Sequence, residues 1–142
     1  MIKIVNAKPE RYLHWLTGAA IKKGQFVILD TTAKPAAEAI TAATLLGLAM
    51  EDCASGEYVT LYPVVGTEFE IDIYQGGAVD DATDSMIGTV YDIYVDGAAG
   101  DGSGEGEMYL DLNDTSGSFC YLMSYSGKKA YVRIALADCL IA

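Results

Sequence analysis

Histidine occurs once in the 142 residues, at position 14, and that scarcity narrows the chemistry. Any nucleophile–histidine pair would have to use His14, which lies beside Trp15 and Leu16 in a segment expected at the periphery. Ser-His-Asp and Cys-His catalysis are therefore disfavoured. Cysteine is also sparse. Cys53, Cys120 and Cys139 are odd in number and widely spaced. They fit neither a disulfide framework nor a C-x-x-C motif, and they read as reduced thiols, some buried as small apolar groups. A tetrahedral zinc site lacks clustered ligands. No apolar run approaches the ~18 residues of a membrane span. The opening MIKIVNAKPERYLHWL scatters its charges and has no apolar h-region, so no secretory signal is expected. A Gly-rich phosphate loop carrying a Lys is missing as well, which leaves nucleotide binding without support.

The most telling gap is in cations. Residues 35–127 contain no Lys or Arg but 17 Asp or Glu, a charge of −17. Residues 1–34 carry +4 and residues 128–142 carry +2, which together give the net charge of −11. So anionic a central stretch repels nucleic acid and anionic membranes, and neither is expected as a partner. It can form internal ion pairs only with the two ends of the chain. The basic N-terminal segment is the natural one to meet an acidic partner or to fold back on the body.

What is present is mostly apolar periodicity of two. Apolar residues make up 51% of the chain, enough for a core. FVILD (26–30), LLGLAM (45–50), EYVTLYPVV (57–65), EFEIDIY (68–74), GTVYDIYVD (88–96), EMYLDL (107–112), SFCYLMSY (118–125) and AYVRIAL (130–136) read as strands, with IKIV (2–5) as a ninth. Helix signals are thin. KPAAEAITAAT (34–44) has room for a short helix, with Pro35 suited to a first turn. PERYLHWL (9–16) reads as one helical turn or an extended arm. The expected class is all-β with little helix: a small antiparallel β-barrel or β-tulip-like unit followed by a second small β unit. The expected divisions are an N-terminal arm over 1–21, a β unit over 22–76 ending at Gly76–Gly77, and a second barrel or sandwich unit over 77–142.

Glu68, Glu70 and Asp72 alternate with Phe69, Ile71 and Ile73, so one face of that strand is a row of carboxylates. Paired carboxylates serve glycosidases, but one must be held protonated in an apolar pocket. Carboxylates at period two on several strands instead describe wet sheet faces, because antiparallel sheets commonly bury one side only. No enzyme is expected. Asp96, Asp101, Glu105 and Glu107 lie on or beside a Gly-rich loop and offer oxygen ligands for calcium, but the D-x-[DN]-x-[DN]-G order is missing, and a solvated acidic loop is expected with no metal or cofactor. Nine of the ten tyrosines fall in candidate strands, which β-propensity explains. Tyr94 and Tyr109 are on acidic faces and are the better candidates for an interface.

KKGQFVILDTT (22–32), an Ala/Thr-rich connection, LLGLAMEDCASGEYVTLYPV (45–64) and the charge-alternating strand after it follow one another in an order that resembles the head-decoration, or cement, proteins of lambdoid tailed phages. The resemblance covers about residues 22–74. MIGTVYDIYVDG and YLDLNDTSGSFCYLM are similar to segments of longer phage virion structural proteins. The resemblance implies a homotrimer on the outer capsid surface of a virion, bound to the major capsid protein at threefold sites and stabilising the expanded shell. It implies that an N-terminal arm makes the contact, which places capsid binding on Ile2, Lys3, Ile4, Lys8, Arg11, Tyr12 and Trp15. The competing expectation is a carbohydrate- or cell-surface-binding β module using exposed Tyr and acidic loops.

Overall fold

A computed structural model describes residues 2–6, 12–35, 45–64, 67–96, 106–116 and 119–135. Eleven strands run in chain order among them: β1 (Lys3–Asn6), β2 (Leu13–Leu16), β3 (Phe26–Asp30), β4 (Thr32–Pro35), β5 (Leu45–Ala49), β6 (Tyr58–Tyr62), β7 (Glu68–Asp72), β8 (Val90–Val95), β9 (Met108–Asp111), β10 (Cys120–Ser126) and β11 (Lys129–Ile134). The one helical element described is a single 3-10 turn, Asp84–Met86. The protein is all-β, as its alternating pattern predicts. All nine expected strands form. β2 and β4 are additions: residues 13–16, read as a helical turn or arm, are a strand, and Pro35 closes β4 instead of opening a helix. Residues 36–44, the rest of that helix expectation, lie outside the described residues.

The strands make two antiparallel sheets, not a closed barrel. The first has the order β1-β7-β11-β10-β8-β9 and the second β2-β6-β5-β3-β4. Both curl toward closure and stop at one parallel bridge each. Ile73 bridges Leu110 in the first, and Thr17 bridges Ala33 in the second. The expected boundary at Gly76–Gly77 does not coincide with the division between sheets. β7 precedes it in sequence yet pairs with β11, Tyr131 opposite Glu70 and Val132 opposite Phe69, while β1 takes the other edge of β7.

The larger core lies between the two sheets. Phe69, Ile71, Leu110, Leu122, Val132 and Ile134 enter it from the first sheet, and Phe26, Leu45, Leu48 and Tyr62 from the second. Three phenylalanines join them: the Phe26 ring meets Phe69 edge-on at 5.4 Å and lies 5.3 Å from Phe119. A smaller cluster of Ile21, Val27, Leu46, Ala49, Val59 and Leu61 fills the opposite face of the second sheet. That sheet is therefore buried on both faces around β5, which explains why LLGLA is apolar without alternation. Register shifts between Val27 and Ile28, leaving an extra residue in β5. A side chain at Gly47 would strike β6, since an added Cβ would lie 2.7 Å from the Tyr62 carbonyl oxygen.

Buried Gln25 ties the two sheets by polar contact. Its side chain donates to the Gly106 carbonyl (2.8 Å) and accepts from the Lys22 amide (2.9 Å). Cys53 and Cys120 are buried, and desolvation raises the Cys53 thiol above its ordinary value. Cys139 lies outside the described residues. No described helix is long and apolar enough to cross a membrane.

Candidate docking surface

The carboxylate row of β7 receives its cations from the ends of the chain. Across β7, Lys129 Nζ lies 3.3 Å from Glu70 and 3.1 Å from Asp72, and Arg133 reaches Glu68 at 4.0 Å. On the other side, β1 sets Lys3 opposite Glu70. The row is half-buried, on the outward face of the sheet, while Phe69 and Ile71 are fully buried behind it. Such part-exposed pairs contribute little to stability individually. They do fix the register of strands that share a face, because a one-residue slip would expose the apolar set. The carboxylates line a sheet surface, not a closed cavity.

The residues expected to bind a capsid separate into two places. Ile2, Lys3 and Ile4 belong to the first sheet. Ile2 is buried and Ile4 half-buried, so residues 2–6 are not a free arm here: β1 is an outer strand hydrogen-bonded to β7. Tyr12 and Trp15 belong to the second sheet. Trp15 packs against the smaller core and is not an exposed anchor, whereas Tyr12 is exposed with its ring edge-on to Tyr62 at 5.7 Å. Lys8 and Arg11 lie outside the described residues.

Beside the outer edge of β1 runs a cleft of about 240 Å³, lined by Ile2, Lys3, Ile4, Lys23, Leu48 and Met50. Past Lys23 and Met50 it continues into a larger cleft of about 490 Å³ reaching Gln25, Glu107 and Met108. The turn at Lys22–Gln25 shapes both. Gly24 takes a left-handed φ of 83°, and the Lys23 amide donates to Asp52 (2.9 Å). Sequence reading missed Lys23, Leu48 and Met50 here. Three separate stretches converge on the cleft, and no local pattern announces that.

Tyr94 and Tyr109, cross-strand partners on β8 and β9, do come together, and Tyr74 joins them. The Tyr74 and Tyr94 rings stack at 3.8 Å, and Tyr109 lies 6.4 Å from Tyr74. The Tyr109 hydroxyl donates to Glu107 (2.9 Å). That bond, helped by desolvation and by Glu107, Asp96 and Asp72, pushes the Tyr109 phenol up to about 12. A phenol raised in the folded state is protonated there when its unfolded counterpart ionises. Its contribution is thus present below pH ~10 and lost as pH rises through about 12. In an ultraviolet titration of the tyrosines, one phenolate is expected to appear near this upper limit and to move down toward ~10 in Glu107→Gln. An unchanged profile in the variant would contradict the bond.

Of the proposed calcium ligands, Asp101 and Glu105 lie outside the described residues. Among the described residues, no group of three His, Cys, Asp or Glu side chains could hold a metal ion. The single histidine is exposed on β2 with Nδ1 3.4 Å from the Thr60 hydroxyl. No protein-family model matches the chain, and neither does any curated protein.

Proposed function

We propose that the protein is a viral structural protein that binds the outer surface of a phage capsid at threefold sites and stabilises the expanded shell. The observation that supports it best is the cleft beside β1. A strand whose outer edge pairs with no other strand among the described residues adjoins a groove lined by aliphatic side chains and two lysines, in a chain of net charge −11. An extended segment of the shell protein can add to such an edge through main-chain hydrogen bonds, while the groove selects its side chains. Lys3 and Lys23 favour an acidic segment and orient the anionic body away from the shell. The docking element is thus a strand already held by the fold, where the sequence suggested a loose arm. Three copies on one threefold site convert weak single contacts into tight attachment.

Co-sedimentation with expanded shells tests the reading. The wild-type chain is expected to pellet with shells, and a Lys3→Glu, Lys23→Glu double variant to bind at least roughly tenfold more weakly, since two attractive contacts become repulsive. Circular dichroism checks that the variant stays folded. Equal binding by the variant would remove the cleft from the interface. Specific capture of a glycan, lost in Tyr94→Ala, by a chain that ignores shells would replace the reading with carbohydrate binding.

A further inference from the structure

The outward face of the first sheet carries an aromatic platform across β8 and β9. Tyr94 and Tyr109 are cross-strand partners there, and Tyr74 reaches them from the end of β7, where its amide donates to the Leu110 carbonyl (2.9 Å). Their chain neighbours Ile73, Ile93 and Leu110 are buried, so the rings point away from the core. Each ring is half-buried and keeps part of its surface in solvent. The Tyr74 and Tyr94 planes lie within 16° of parallel, and Glu107 holds the Tyr109 hydroxyl. Such a surface is flat and fixed in advance, which lowers the ordering cost of binding.

Carboxylates border these rings. Glu107 bonds the Tyr109 hydroxyl and, with desolvation, Asp96 and Asp72, keeps that phenol protonated to high pH. Asp96 and Glu107 are exposed. The cation that β11 brings, Lys129, is already shared by Asp72 (3.1 Å) and Glu70 (3.3 Å). The three rings and the three carboxylates around Tyr109 all belong to residues 35–127, the stretch without Lys or Arg. Ring faces and carboxylates attract the same chemistry, a positive charge, and this stretch has none of its own to offer.

We propose that this platform binds an arginine side chain of a partner protein, its guanidinium lying on the Tyr74–Tyr94 stack and donating to Asp96 and Glu107. A guanidinium is planar and weakly hydrated, so it stacks on a ring face while its edge serves carboxylates. A lysine ammonium is a compact, strongly hydrated charge and meets only the second demand well. Charge complementarity thus selects a basic segment, and the flat rings select arginine within it. Nothing in this contact uses Lys3, Lys23 or a threefold site, so it does not rest on shell binding.

The test uses the purified full chain and capped Gly-Ser peptides with a central Arg, Lys or citrulline. Citrulline keeps the shape of arginine without its charge. In an NMR titration the arginine peptide is expected to give saturable shifts at the three tyrosine rings. The lysine peptide is expected to bind at least roughly threefold more weakly, and the citrulline peptide not to saturate. Tyr94→Leu is expected to weaken the arginine peptide at least roughly threefold. An Asp96→Asn, Glu107→Gln double variant, changed only at exposed side chains, is expected to weaken it at least roughly fivefold. A Glu57→Gln, Asp84→Asn double variant removes the same charge elsewhere and is expected to stay within about twofold of wild type. Circular dichroism checks that each variant is folded. Absence of a saturable shift with the arginine peptide overturns the proposal. So does equal binding of the lysine or citrulline peptide, an equal loss in the two double variants, or a glycan that takes the rings in place of the peptide.

Discussion

Replacing Phe26 with alanine is expected to remove about 3–5 kcal/mol of stability, the usual cost of emptying a buried aromatic site. Phe26 has no exposed surface and sits at the centre of a three-ring cluster with Phe69 and Phe119. Its strand belongs to the second sheet and the other two rings approach from the first. The loss is therefore felt by both sheets. Domains of this size are stable by only about 5–15 kcal/mol, so the variant falls near the edge of folding. Urea denaturation followed both by far-ultraviolet circular dichroism and by tyrosine and tryptophan fluorescence provides the measurement. Trp15 reports the smaller core, and among the tyrosines Tyr62 and Tyr91 report the larger one. One shared transition that moves to lower urea in both signals is expected. A loss under about 1 kcal/mol, in the range of ordinary surface changes, would show that the three-ring cluster is not packed as described.

The second large effect is expected at Gly47. A Cβ there would sit 2.7 Å from the Tyr62 carbonyl oxygen and 3.1 Å from Leu61 Cβ. The first neighbour is backbone, which cannot rotate aside. Alanine should cost about 1–3 kcal/mol through displacement of β6 from β5. Valine places further methyl groups into a sheet packed on both sides, and its cost is expected to exceed that of alanine. The same denaturation measurement ranks the pair. A Gly47→Val variant as stable as wild type would mean that β5 and β6 are farther apart than the structure shows.

Most of the strands were legible because antiparallel sheets with one wet face leave an alternating trace. In β7, β9 and β11 the apolar set enters the core and the intervening charged and tyrosine residues face outward. β2 and β4 left only a faint trace. They are four residues each: Leu-His-Trp-Leu loses its alternation at Leu16, and Thr-Ala-Lys-Pro alternates only through an alanine and a proline, too short and too weakly apolar to mark a strand. Their pairing with β6 and β3 makes them strands, and pairing is tertiary information. The barrel expectation failed for a related reason. Curling is visible only in where an edge strand ends relative to a distant one, as at the bridge between Ile73 and Leu110. The charge map was more informative. A stretch without cations can be neutralised only from outside it, and Lys129 and Arg133 lie on β11, directly against the anionic row. The candidate docking surface was legible in half. Ile2, Lys3 and Ile4 do line the β1 cleft, but the opposing wall, Lys23, Leu48 and Met50, comes from turns and strand ends that only folding brings near. The inward turn of Trp15 was hidden in the same way: a lone indole in a short strand has no local sign of which face it takes.

β11 is the most C-terminal of the described strands, yet it occupies an interior place in its sheet, between β7 and β10. On the ribosome, β7 emerges long before its neighbour exists, and its hydrogen-bonding edge has to wait. A nascent chain that has not reached Lys129 holds β1 and β7 on one side and β10, β8 and β9 on the other, joined among the described strands only where Ile73 and Tyr74 meet Leu110. Completion of this sheet thus waits for a pairing between strands far apart in sequence, the kind of topology that folds slowly.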